Sequence, residues 1–313
     1  MKLILSQGPH IESDMTTPRI MLNVLVALFP AVIASCILFS MRALLVIVVS
    51  VAAAVLSEHL FCLLTKKKST VSDLSAAVTG LILALNLPYT MPIWQVVFGD
   101  IVAIAFVKML FGGIGQNFAN PAATARVILL TCFSETGVAT ATRFMTPAVD
   151  GVTSPTPLAL LAKNDMEALP SITDMLLGNR GGALGETCCI ALLIGFVYLL
   201  CRRIVSAEAP LAFIGTVFVF TLIVKGSAVF ALYSVLSGGL FIGAFFMATD
   251  YATTPLSRIG KLVFGIGCGI ITTVIRLFCN YPEGVSFSIL LMNILVPFID
   301  KFTRPHAFGG KKK

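Results

Sequence analysis

Residues 150–157 read Asp-Gly-Val-Thr-Ser-Pro-Thr-Pro, with Thr153, Ser154 and Thr156 beside Asp150. Three hydroxyls in one polar turn offer points where a phosphate can be joined as an ester. Ser, Thr, Asp and Pro are also ordinary loop formers, so the same turn reads equally as a plain connection.

A second dense motif is Phe111-Gly-Gly-Ile-Gly-Gln-Asn-Phe-Ala-Asn-Pro121. Gly112, Gly113 and Gly115 permit close backbone approach. Asn117 and Asn120 lie three apart and supply amide donors and acceptors. Pro121 opens a helix, whose first N–H groups are free to point at a ligand. The alternative is a hinge between two helices packed through glycine. No Lys-Ser/Thr follows, so this is not a nucleotide P-loop.

Ionisable side chains inside apolar segments form a third group. They are costly there and are functional candidates by default. Glu58, Asp100 and Arg126 lie within such segments, and Asp73 and Glu186 open others. Glu58, Asp73 and Asp100 are the carboxylates proposed for an ion pathway. The alternative is that each is a structural ion pair or a protonated acid. Lys108 is expected to snorkel toward an aqueous face.

The elements that must position these residues are membrane helices. The chain has 313 residues, 57% hydrophobic and 12% charged, where a soluble chain carries about 25% charged. Stretch 20–41 has no charge and is long enough to cross a bilayer, which takes about 20 residues. Charged residues at positions 2–19 precede it, which fits a retained helix better than a cleaved signal. Ten hydrophobic segments are predicted, at about 20–40, 43–65, 73–90, 92–112, 119–134, 184–201, 208–225, 227–248, 260–279 and 285–301. Asn86-Leu-Pro88 interrupts the third and Asn120-Pro121 the fifth.

With the N-terminus in the cytoplasm, the cytoplasmic ends hold the majority of the 22 lysines and arginines. The positive-inside rule then places both termini inside and the long loop, 135–183, outside. The net charge of +7 resides in runs such as Lys66-Lys67-Lys68 that flank apolar segments, so it speaks for topology and against nucleic acid. The eight cysteines form no C-x-x-C, which argues against a metal or iron–sulfur site. The three histidines are scattered, and no hydrolase nucleophile motif occurs.

An internal echo runs through the chain. Thr79-Gly-Leu81, Pro92, Val97-Phe-Gly99 and Lys108-Met-Leu-Phe111 are answered in order by Gly238-Gly-Leu240, Pro255, Val263-Phe-Gly265 and Arg276-Leu-Phe278. Five segments per half would invert the second half relative to the first, and broken helices would then face a site near the midplane.

Ser6-Gln-Gly-Pro-His10 with Ile20-Met21, Thr79-Gly-Leu81 with Leu85 and Pro88, Gly112-Gly-Ile-Gly-Gln-Asn117, Asn120-Pro-Ala122 and Gly185-Glu-Thr187 together resemble one family. It holds the RnfD component of the Rnf electron-transport complex and the related B component of the sodium-pumping NADH:quinone reductase. The resemblance runs from the first residues to the last helix. It implies an all-α polytopic membrane protein of about ten helices, in two inverted five-helix repeats similar to urea transporters. Residues 1–134 hold the tail and first repeat, 135–183 the outer loop, and 184–313 the second repeat.

The resemblance also implies FMN joined by a phosphoester to Thr156, the last residue of a family tetrad that here reads Thr153-Ser154-Pro155-Thr156. Pro155 and Ser154 depart from the family's alanine and glycine. Asp150, Thr153, Ser154, Arg143, Glu186 and Thr187 are the residues expected around that flavin. Asn117 and Asn120, with Gly112, Gly113 and Gly115, match a second, non-covalent flavin site for riboflavin. No metal is expected. The implied function passes electrons between reduced ferredoxin and NAD, coupled to Na⁺ or H⁺ movement across a bacterial or archaeal cytoplasmic membrane. This chain has no complete active site of its own. Its implied partners are the bilayer and the other Rnf components, RnfA, RnfB, RnfC, RnfE and especially the FMN-bearing RnfG. A quinone-reductase homologue and a flavin-free, urea-transporter-like channel remain the alternatives.

Overall fold

The computed structural model describes residues 15–133, 156–279 and 283–304. Every regular element in these stretches is helical. Helix α1 (Thr17–Phe39) begins with Pro18 in its first turn, where a missing N–H costs nothing. Ser40 turns the chain with φ 74°, and its hydroxyl accepts from Met41 N–H, which opens α2 (Met41–Leu64). Leu22, Val26, Phe29, Ile33 and Ile37 form an exposed stripe on α1. Their spacing of three to four residues is that of one helix face, the face such a helix turns to lipid.

Helix α3 (Ser75–Leu85) presses on α2 through Gly80, where a Cβ would lie 2.9 Å from Ser50 O and from Ala54 Cβ. It stops at Asn86-Leu-Pro88. Helix α4 (Ile93–Ile101) continues as a π-helix over Val102–Met109. Helix α5 (Pro121–Cys132) follows the glycine-rich turn. The 156–183 stretch, expected to be a polar loop, carries two short helices, α6 (Pro157–Ala162) and α7 (Ile172–Leu177). Then come α8 (Cys189–Cys201), α9 (Glu208–Lys225) and α10 (Ala228–Leu236). Helix α11 (Leu240–Ile242) runs on as a π-helix over Gly243–Met247. The last two are α12 (Arg258–Phe278) and α13 (Val285–Thr303).

Five of these, α1, α2, α9, α12 and α13, are long and apolar enough to cross a membrane. The α10–α11 pair bends by 66° at its break and would make a sixth. Helices α3, α5 and α8 are apolar but shorter. The chain is thus a polytopic helical membrane protein. Helix α2 packs against α3 and α4, α9 against α10 and α12, α1 against α8, and α5 against α13.

Two broken helices interrupt this bundle. Backbone groups freed inside a membrane need protein partners, since lipid offers none. At the first break, Leu85 O accepts from Gly185 N at 2.7 Å and Leu87 O accepts from Leu184 N at 3.0 Å. Asn86 O accepts from Arg126. At the second break, Arg276 donates to Ser234 O at 2.6 Å and to Ser237 O at 3.1 Å. Arg180 donates to Leu236 O at 2.5 Å. Gly238, at φ 66°, allows the turn.

Candidate functional site

Thr156 caps α6: its hydroxyl oxygen accepts from Ala159 N–H at 3.3 Å. Among the described residues the hydroxyl donates to none, and the side chain is half-buried. Asp150, Thr153, Ser154 and Arg143 lie outside the described residues. Below α6, Leu158, Leu161, Ala162, Lys225, Phe230 and Arg276 line a small cavity. Leu158 and Arg276 both reach the backbone break at Gly238, so the segment that starts at Thr156 rests on the second broken helix.

Glu186 and Thr187 belong to a buried charge cluster beside that break. Arg126 hydrogen-bonds Glu283 and lies 3.9 Å from Glu186. Its other terminal nitrogen donates to the carbonyl and the side-chain oxygen of Asn86, the latter at 2.6 Å. Arg180 donates to Thr187 O at 3.2 Å and to Glu186 O at 2.7 Å. Buried Glu283 Oε1 and Glu186 Oε2 make no hydrogen bond. Both sit around the space a Gly239 Cβ would occupy, 2.8 and 3.4 Å from it. By sequence alone, Tyr281-Pro-Glu-Gly284 reads as a simple turn, and Arg180 and Arg276 fall among the outer basic residues. Arg276 inside an apolar run, and Glu283 two residues before α13, are the signals for their burial.

At the opposite ends of α3 and α5 lies the glycine-rich turn. Gly112, Gly113 and Gly115 take φ values of 119°, 100° and 84°, which side chains rarely adopt. The turn presents a cleft of about 770 Å³, counting its open side, lined among others by Asn117, Asn120, Lys108, Thr249 and Asp250. The two asparagines differ in role. Asn120 Oδ1 caps α5 by accepting from Ala123 N–H at 3.1 Å, and its amide donates to Met247 O at 3.3 Å. Asn117 Oδ1 is buried without a hydrogen-bond partner. Across the cleft, burial pushes the Asp250 carboxyl above the usual carboxylate range, against hydrogen bonds from Ala252 N–H and the Thr253 hydroxyl. Burial likewise pushes the Tyr251 hydroxyl up to about 12.

The membrane carboxylates separate into two sets. Lys108 does not snorkel; its Nζ is buried 3.0 Å from Glu58 Oε2 and also donates to Ser75 Oγ. The reason is a ready counter-charge one helix away. Thr70 donates to Glu58, and Ser75 donates to Asp73, whose Oδ1 also takes Ser75 N–H at 2.7 Å. Glu58 and Asp73 thus share one network, and its Ser75 and Lys108 line the cleft. Asp100 stands apart, on Ser50 alone among the described hydrogen bonds. No group of three or more His, Cys, Asp or Glu suited to a metal occurs among the described residues.

Known proteins are similar to this chain along nearly its whole length. The chain is 43% identical to the D subunit of the Na(+)-translocating ferredoxin:NAD(+) oxidoreductase complex of Acetobacterium woodii, over 100% of this chain and 97% of that one. It is 38% identical to the D subunit of the proton-translocating ferredoxin:NAD(+) oxidoreductase complex of Clostridium ljungdahlii, over 98% and 96%. It is 37% identical to the D subunit of the ion-translocating oxidoreductase complex of Stutzerimonas stutzeri, over 93% and 92%. The profile of the NQR2, RnfD, RnfE family matches residues 4–309, and the chain belongs to that family.

Proposed function

We propose that this chain is the flavin-carrying membrane component, RnfD, of an ion-translocating ferredoxin:NAD⁺ oxidoreductase complex. Full-length similarity to proteins named as members of such complexes supports the assembly. The observation that carries the flavin reading is Thr156, whose oxygen caps α6 while its hydroxyl donates to no other described residue. Esterification replaces the hydroxyl hydrogen and leaves the oxygen's position on the cap. Bound FMN would supply one- and two-electron chemistry, while the chain supplies position and electrostatics. Lys225 and Arg276, which line the cavity under α6, place positive charge near the attachment point.

The cleft by the glycine turn is the second flavin site in this proposal. Asn117 Oδ1 is the buried acceptor left for a ligand N–H, and the three positive-φ glycines shape the turn that carries it. Asn120 acts through α5 and Met247, holding the turn in place.

The two halves form an inverted repeat of five spans each in this reading. Its support is the parallel packing of α2 on α3 and α4 and of α9 on α10 and α12. Both termini lie in the cytoplasm and the Thr156 loop lies outside. Electrons arrive from the FMN-bearing RnfG. RnfA, RnfB, RnfC and RnfE complete the assembly, and this chain has no complete active site alone. The Glu58–Lys108–Asp73 network and Asp100 are the ion-pathway candidates.

The test is in-gel flavin fluorescence of the denatured protein from its native host, followed by peptide mass spectrometry. FMN less one water on the Thr156 peptide, absent in Thr156→Val, is the expected result. A fully processed chain with no covalent flavin would leave a flavin-free channel as the better reading.

A further inference from the structure

The Ser50–Asp100 pair contains one proton too few if Asp100 is ionised. Ser50 Oγ lies 2.8 Å from Gly80 O and 3.0 Å from Asp100 Oδ1. A hydroxyl has one proton to donate. Gly80 O and a carboxylate oxygen are both pure acceptors, so one of these close contacts would have no hydrogen in it. A protonated Asp100 removes the conflict: its O–H donates to Ser50 Oγ, and the Ser50 O–H donates to Gly80 O. The chain of bonds then runs in one direction with every short contact filled.

Burial supports the same assignment. Asp100 and Ser50 are both 0% exposed, and Asp100 Oδ2 has no hydrogen-bond partner. An isolated buried carboxylate neutralises in preference to bearing its desolvation cost. The charged groups on the neighbouring elements are engaged elsewhere. On α2, Arg42 donates to Tyr89 O and Thr90 O, Glu58 holds Lys108 of the π-helical stretch, and His59 faces outward, exposed. On α5, Arg126 is held by Asn86 and Glu283. Helix α3 carries no charged residue.

We infer that Asp100, Ser50 and the Gly80 carbonyl form a buried proton-binding site, with Asp100 as the acid that holds the proton. Hard metal cations take about six oxygens, and this site offers the two Asp100 oxygens, Ser50 Oγ and Gly80 O. The tight contact of Gly80 on α2 keeps Ser50 on the carbonyl, so the Ser50 O–H stays committed to Gly80 O. The assignment needs neither flavin nor the other proteins of the complex.

The experiment is infrared difference spectroscopy of the full chain purified from membranes at neutral pH, wild type minus Asp100→Asn. The expected result is loss of a carboxylic-acid C=O band. Asparagine can donate to Ser50 as the acid does, so the fold should survive. Loss of carboxylate bands with no acid band would overturn the assignment. If Asp100→Asn does not fold, Ser50→Ala decides. Removal of the acceptor should shift the acid C=O band, and an acid band that stays unmoved would overturn the site.

Discussion

Arg126 of α5 holds the carboxylate of Glu283, 157 residues further along the chain. Through Asn86 the same guanidinium caps the broken end of α3. One side chain thereby ties the first break to the loop that enters α13. Removing one partner of a buried ion pair leaves an uncompensated charge and costs about 3–5 kcal/mol. Arg126→Gln should therefore destabilise by about that much. The double variant with Glu283→Gln should recover part of the loss. Thermal unfolding of the purified variants in one detergent measures both, and equal losses for single and double variants would mean the pair is not coupled.

Gly80 is a place where no side chain fits. An added Cβ would meet Ser50 O and Ala54 Cβ at 2.9 Å, both fixed parts of α2. Overpacking of this kind costs about 1–3 kcal/mol. Gly80→Ala should lower the unfolding temperature, while alanine at Gly215, with nothing within 4 Å of its Cβ position, should leave it unchanged.

Asn117 and Asn120 should separate in their effects. Asn120→Ala removes a helix cap, worth about 0.5–2 kcal/mol, and the tie to Met247 O. It should lower stability even without flavin. Asn117→Ala removes only a buried acceptor facing the cleft. It should preserve stability and lower the yield of extractable, non-covalent flavin. Flavin released by acid precipitation, set against thermal stability of the same sample, checks the contrast.

Asp250 should give stability a pH dependence. Its folded-state affinity for a proton is raised by burial, so the folded chain binds that proton more tightly than the unfolded chain. The contribution is full below the unfolded value of about 3.9 and is lost as pH rises through the folded one. Asp250→Asn lacks this loss. Its stability relative to wild type should rise as pH increases, and a constant difference across the series would place the carboxyl in a more solvated setting.

The order of apolar segments and the interruption at Asn86-Leu-Pro88 were legible in the residues, whereas the interruption expected at Asn120-Pro121 is simply the start of α5, and the break at Gly238, in the eighth segment, was not foreseen. Uncharged runs with flanking lysines have few other ways to fold, and Pro88 marks backbone that cannot continue a helix; glycine is tolerated in membrane helices, so the turn at Gly238, with φ 66°, is visible only in the structure. The ionisable residues Glu58, Asp100, Lys108 and Arg126 stood out because membrane burial makes each of them costly. Their partners did not. Glu58 meets Lys108 fifty positions away, and Arg126 meets a glutamate in a segment that reads as a plain turn. Burial on that scale is decided by which helices pack together. The division of labour between Asn117 and Asn120 was equally hidden, since both amides have the same chemistry. Only the tertiary structure gives one a cap and a cross-tie and leaves the other, at the cleft, with a buried Oδ1 that has no partner.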